Sequence, residues 1–195
     1  MNHDPNRRER RSLRLPDYDY RRDGFYFVTI CIDDREPRLG RIVDGRVEMT
    51  EAGRMIEWYW RSLPDRFPNV ALDAFVVMPD HVHGIIVIRR GEPCVRPEDG
   101  TPTTGGDHED RPYKSWRNDH DRHPRGTDDG SLGRIIQAFK SLTTNAYIRG
   151  VRHRGWPPFD RRLWQRNYYE RVIRNEAELH ETRDYIRTNP GRAMK

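Results

Sequence analysis

Two apolar runs, Val70 to Met78 and Val82 to Ile88, are separated by little more than Pro79-Asp80. So short a connection leaves room for a tight turn and no crossover, so the runs predict adjacent antiparallel strands. His81 and His83 stand at the start of the second strand. Side chains alternate faces along a strand, so these imidazoles point to the same side, one pleat apart. That geometry suits a metal or a phosphate. A His-x-His pair taken alone is as readily incidental, so the surrounding residues decide what it means.

Around this pair the chain supplies a mixed set of elements. Phe25 to Ile32 (FYFVTICI) is aromatic and β-branched and reads as a buried strand. Leu39 to Met49 is read as a hairpin about Asp44-Gly45, a dipeptide that favours a tight turn. Thr50 can cap a helix whose apolar positions Ala52, Met55, Ile56, Tyr59 and Leu63 keep helical spacing until Pro64. From Ser131, the residues Leu132, Ile135, Ile136, Phe139, Leu142, Ala146 and Tyr147 make a second amphipathic helix ending at Gly150. Its other face carries Arg134, Gln137, Lys140, Ser141 and Thr144, which are either solvated or able to grip phosphates. A last helix begins at Asn175, with Glu178 in the reciprocal capping position, and Pro190 limits it near Asn189. The fold class expected is α+β, an antiparallel sheet with helices packed on one face.

The chain has 195 residues, which suits one domain, and its net charge of +5 is carried mostly by arginine. Arginine favours bidentate phosphate contacts, so nucleic acid is the natural partner. Cys31 and Cys94 cannot build a disulfide framework or a cysteine-rich zinc site. No apolar core of a signal peptide follows the amino-terminal arginines, and no segment is long enough to span a bilayer. A reducing, cytoplasmic setting is expected. Residues 1–23 form a basic arm, Arg14 included, that reads equally as a solvated tail or a backbone-binding arm. Residues 24–195 are expected to be a single domain interrupted by a disordered insertion at 91–130, crowded with Gly, Pro, Asp and Arg. His108, His120 and His123 in that insertion read as solvated, while Tyr113 and Trp116 could contact a base. The segment from Leu163 to Arg171 interleaves aromatic and basic residues, Arg166 among them, a mixture suited to single-stranded nucleic acid.

The strings RRSLRLPDYDY, YFVTICIDDRE, FPNVALDAFVVMPDHVHGIIVI, SLGRIIQAFKSLT and LWQRNYYERVIRNEAELHETRDYIRTNP together resemble the single-tyrosine HUH transposase superfamily. Within it they are most similar to the REP-associated tyrosine transposases. The resemblance covers nearly the whole chain outside the insertion, and PDHVH joined to the distal YIRTNP makes it specific. It implies a ferredoxin-like (RRM-like) fold, usually a dimer, that cuts and rejoins single-stranded DNA near hairpins. It also implies that His81 and His83 bind a divalent cation, that Tyr185 is the attacking residue, and that Asn189 completes the metal site. Two departures bear on substrate recognition more than on chemistry: the insertion follows the histidine strand directly, and the chain ends soon after Pro190, where a DNA-binding tail of relatives is expected to be truncated.

The residues are consistent with that chemistry. Tyr185 and Asn189 are four apart on a helix, so their β-carbons lie on one face at about 5–6 Å. A phenol of reference pKa about 10 is a poor nucleophile, and phosphodiesters repel anions. A divalent ion held by two imidazoles and an amide oxygen, Mg²⁺ or Mn²⁺, would offset both. Lys140 is the expected phosphate contact, with Arg134, Gln137, Arg166 and Arg14 as further nucleic-acid contacts. No general base stands out, since Asp80 and Asp184 are adjacent to the motif residues and neighbouring side chains diverge. A histidine-triad hydrolase is disfavoured because Ile85 occupies the third position. The remaining rival is a domesticated, non-catalytic nucleic-acid-binding relative.

Overall fold

The computed structural model describes residues 22–89 and 130–192. Arg14, Cys94, Tyr113, Trp116, His108, His120 and His123 lie outside the described residues, as do nearly all of the basic arm and the insertion. The element order is β1 (Gly24–Cys31), β2 (Gly40–Val43), β3 (Arg46–Met49), α1 (Glu51–Arg61), α2 (Leu63–Arg66), β4 (Val70–Val77), β5 (His81–Ile88), α3 (Leu132–Arg154), β6 (Tyr169–Ile173) and α4 (Glu176–Arg192). Among the described residues, no helix is long and apolar enough to cross a membrane.

Local chemistry accounts for the boundaries. Asp44 and Gly45 take φ of 50° and 72°, the left-handed pair that a two-residue hairpin turn requires, and β2 and β3 pair across it. Thr50 caps α1 by accepting the Gly53 N–H at 3.1 Å, and Ser131 caps α3 by accepting the Arg134 N–H. Asn175 accepts the Glu178 N–H at 2.9 Å. Two helices run further than expected. α3 continues through Gly150, where a β-carbon would stand 2.1 Å from the Trp156 ring, and stops at Gly155, left-handed at φ 67°. α4 passes Pro190 to Arg192, because so near its end the proline forfeits a single helical bond.

The main sheet is antiparallel in the order β4-β5-β1-β6. Setting the β2-β3 hairpin aside, its strands in chain order are arranged 2-3-1-4, the ferredoxin-like arrangement. The histidine strand β5 is central, paired with β1 from Gly24↔Ile88 to Cys31↔His81 and with β4 on its other side. Strand β6 has no counterpart in the expected pattern. It is an edge strand in which exposed Tyr169 and Arg171 alternate with buried Glu170, so its polar row masks a strand signal.

Alternation divides the sheet into two faces. Tyr26, Val28 and Ile30 of β1 and Val82, Ile86 and Ile88 of β5 face α1 and α3, packing with Ile56, Trp60, Ile135, Phe139 and Tyr147. Gly84 lies on this face, and a β-carbon there would stand 2.3 Å from Trp60 Cζ2. Phe27 and Ile85 project the other way and form a smaller cluster with Ile173, Leu179 and Ile186. The expectation of helices on one face thus holds for α1 and α3 only. α4 covers the opposite face, the one to which His81 and His83 point.

Candidate active site

The site begins with register. Thr29 of β1 lies directly across from His83, and its Oγ1 is 2.8 Å from His83 Nδ1. One pleat away, His81 Nδ1 is 2.6 Å from Asp80 Oδ1, and the second oxygen of Asp80 accepts from Arg35 Nε at 2.8 Å. Arg35 reaches it from the turn after β1 with a left-handed φ of 60°, unusual for a side chain of this size. With both Nδ1 atoms engaged, the two Nε2 atoms converge to 3.0 Å.

The hydrogen bonds constrain the protons. A carboxylate only accepts, so Asp80 keeps a proton on His81 Nδ1, and in the neutral ring that leaves the Nε2 lone pair facing His83. The Thr29 hydroxyl can donate or accept, so His83 is free to present either N–H or lone pair at Nε2. Two lone pairs cannot face each other at 3.0 Å; a proton or a cation must lie between them. Burial, with the neighbouring His81, pulls the His83 pKa down to about 3, so this imidazole is neutral near pH 7. Burial likewise raises the Cys31 thiol, which pairs opposite His81.

This arrangement fits a divalent cation. Two nitrogens in adjacent positions around an octahedral ion at about 2.1 Å stand roughly 3.0 Å apart, whereas tetrahedral ligation would spread them to roughly 3.4 Å. Outer partners on both Nδ1 atoms are what metal-ligating histidines ordinarily have. Among the described residues no three His, Cys, Asp or Glu side chains gather into a metal site. A cation here would therefore need an oxygen donor of another kind.

Helix α4 brings the remaining residues. It is fastened to the sheet by a bidentate pair, Arg183 Nε to Asp73 Oδ1 at 2.8 Å and Nη2 to Oδ2 at 2.6 Å, which holds the Asp73 carboxyl below its ordinary range. A second tie runs from Arg171 Nη2 to Thr182 Oγ1 at 2.7 Å. Tyr185 then lies edge-on to His83, with ring centroids 5.3 Å apart, and edge-on to Phe27 at 6.0 Å. It is 37% exposed, whereas His83 is 4% exposed, so the phenol is open to a ligand above a shielded imidazole. Asn189 is buried one helical turn further on. Beyond it α4 approaches the β2-β3 turn, where Gly191 comes close to Gly45.

The predicted phosphate contacts fall elsewhere. α3 packs on the far face of the sheet, so Arg134, Gln137 and Lys140 are not gathered with the histidines. Lys140 Nζ donates to the carbonyls of Gln165, Arg166 and Asn167 at 2.9, 3.4 and 3.1 Å, and burial lowers its pKa to about 8. Three acceptors match its three protons, so it braces the 165–167 loop. Gln137 Oε1 is buried without a hydrogen-bond partner among the described residues, and Arg166 is exposed on the loop that Lys140 holds. Thr29, Asp80 and Arg35 are site residues that motif spacing does not reveal, because only strand register and turn geometry bring them to the imidazoles. Asp80 is thereby committed to His81, and Asp184 to Arg187 at 3.2 Å on the exposed side of α4. The carboxylate near the phenol is instead Glu181, one turn before Tyr185 and lining the same cleft.

No family model matches the chain. An uncharacterized protein of Haemophilus influenzae is 33% identical over 184 residues, spanning 93% of this chain and 88% of the relative. Among solved structures, a REP-associated tyrosine transposase bound to a REP hairpin aligns with a TM-score of 0.53 at 19% identity, over 92% of this chain and 74% of that one. A candidate transposase of Deinococcus radiodurans, at 14% identity and a TM-score of 0.43 over 89% of this chain and 95% of that one, is too distant to bear on the fold. The chain thus belongs to one family with the Haemophilus protein and has the fold of the REP-associated tyrosine transposase.

Proposed function

We propose that the protein is a transposase-like enzyme that cleaves and rejoins single-stranded DNA, at hairpin or palindromic repeats, through a tyrosine-linked intermediate. The observation that carries this reading is the exposed Tyr185 ring 5.3 Å from His83, whose Nε2 converges with that of His81. The hairpin preference follows the fold neighbour, which was solved with a REP hairpin.

His81, His83 and Asn189 would hold a divalent cation, Mg²⁺ or Mn²⁺, which when bound would neutralise phosphate charge and orient the scissile strand. The chain's own residues supply the rest. Tyr185 Oη forms a bond to phosphorus as the bond from phosphorus to the 3′-oxygen breaks. The products are a 5′-phosphotyrosine and a free 3′-hydroxyl. Glu181 takes the phenol proton, directly or through one water, and the departing 3′-oxygen takes one from solvent water, which leaves hydroxide to be neutralised by the proton Glu181 releases. The ester keeps the bond energy, so a second 3′-hydroxyl can reverse the step without ATP. A homodimer is the proposed assembly, to be measured by light scattering.

Purified protein with Mn²⁺ or Mg²⁺ should form a covalent adduct with hairpin-bearing single-stranded DNA, stable in a denaturing gel, and Tyr185→Phe should abolish it. An adduct that survives in Tyr185→Phe but is lost in Tyr168→Phe or Tyr169→Phe would move the nucleophile to that tyrosine. No adduct with any single strand, including palindromes flanking its own gene, would favour the second reading, a non-catalytic nucleic-acid-binding protein.

A further inference from the structure

Beside the histidine pair a cleft of about 540 Å³ opens between β1, β6 and α4, lined by Phe27, Thr29, His83, Tyr169, Arg171, Glu181, Thr182 and Tyr185. Its floor is the Phe27 ring, 6% exposed. Two tyrosines stand on that floor edge-on, Tyr169 at 6.2 Å and Tyr185 at 6.0 Å. Only three large apolar side chains among the described residues are exposed, and these tyrosines are two of them, Tyr169 at 47%. Packing explains neither.

Register explains why Tyr169 is there. It lies opposite Thr29, and Arg171 lies opposite Phe27, so both β6 side chains share the face of the cleft. Arg171 is held by Thr182, and its guanidinium carbon lies 5.9 Å from the Phe27 ring centre. A fixed cation, an aromatic floor and a half-exposed aromatic wall make a slot for a flat, polar ring with hydrogen-bond acceptors on its edge. A cleft of this volume has room for one nucleotide.

We infer that this cleft is a nucleobase subsite, in which one unpaired base next to the scissile phosphate stacks on Tyr169 and takes an edge hydrogen bond from Arg171. The inference rests on the cleavage reading for its orientation beside Tyr185. Seating that base would hold the adjoining phosphate over His83, so Tyr169 is a positioning and specificity residue rather than a nucleophile.

The test uses binding rather than cutting. On a Tyr185→Phe background, a fluorescein-labelled strand with a hairpin and an unpaired flank is titrated by anisotropy, with single abasic replacements scanned along the flank. One abasic position should weaken binding on the order of tenfold or more, the usual worth of a base-aromatic stack. Tyr169→Ala should weaken binding of the intact strand by a similar factor and cost nothing further on that abasic strand, whereas Tyr169→Phe should bind as the parent does. Losses that multiply at every position, or an unchanged affinity in Tyr169→Ala, would overturn the subsite. Thermal unfolding of Tyr169→Ala controls for folding. If the Tyr185-intact protein forms no adduct yet the coupling is found, the cleavage reading fails and the subsite stands. If adducts form and the coupling is absent, the subsite alone fails.

Discussion

Replacing Thr29 by valine removes one oxygen from the wall of the proposed metal centre while keeping the side chain's shape. The Thr29 hydroxyl is 2.8 Å from His83 Nδ1 on a ring that is only 4% exposed, so little water is at hand to take its place. Two effects follow. The stranded Nδ1 costs about 1–3 kcal/mol of stability, which for a chain of this length lowers the melting temperature by about 2–4 °C per kcal/mol. The His83 ring also loses the partner that sets its tautomer and orientation, and outer-partner losses of this kind typically weaken metal binding about 10- to 100-fold. Thr29→Ser keeps the hydroxyl and should retain most of the affinity. Calorimetric titration of Mn²⁺ into Tyr185→Phe protein, with and without each substitution, measures the second effect, and thermal unfolding in EDTA the first. Unaltered Mn²⁺ affinity in Thr29→Val, or equal losses in Thr29→Val and Thr29→Ser, would refute the role given to this hydroxyl.

Acid should weaken the cation-free fold through His83. Its folded pKa of about 3 lies below the ordinary 6.5, so the unfolded chain binds a proton first and stability is lost as pH falls from about 6.5 toward 3. Urea unfolding at pH 7 and pH 5 should differ by ~2 kcal/mol from this group, a difference that His83→Gln should remove; equal losses in both proteins would contradict it. Lys140→Met should lower stability by about 1–2 kcal/mol, chiefly by stranding the part-buried Gln165 carbonyl, while leaving DNA affinity unchanged; the opposite pattern would return Lys140 to the DNA. Gly84→Ala, whose new β-carbon meets Trp60, should cost about 1–3 kcal/mol in denaturant unfolding, and a neutral result would mean that Trp60 gives way freely.

What could be read from the chain was what repeats at short range. Alternation in Phe25 to Ile32, the hairpin dipeptide Asp44-Gly45 and the capping residues Thr50, Ser131 and Asn175 each act within a few positions and are visible as strings. The histidine pair and Tyr185 were legible as motifs. What escaped depends on contacts between distant segments. Thr29 is one hydroxyl among the β-branched residues of a strand until the β1-β5 register sets it against His83. Asp80 precedes His81, and strand alternation would turn it away; the turn at Pro79 bends it back onto the ring. α4 has few apolar positions, Leu179 and Ile186 chief among them, too few to announce which sheet face it covers. Lys140 belongs with these: a cation on the polar side of a helical stripe reads as a phosphate contact, and only the fold shows its Nζ donating to the carbonyls of the 165–167 loop.

The way α4 is mounted gives the two halves of the site unequal permanence. β5 is paired on both edges and backed by the larger core. α4 rests on a five-residue cluster and two polar ties, so it should open in local unfolding at a lower free energy than the sheet beneath it. Amide exchange should therefore release Ile186 well before Val82. If Tyr185 carries a strand end as proposed, that end could swing away and back while the imidazoles stay in register, resetting the chemistry without dissolving the core.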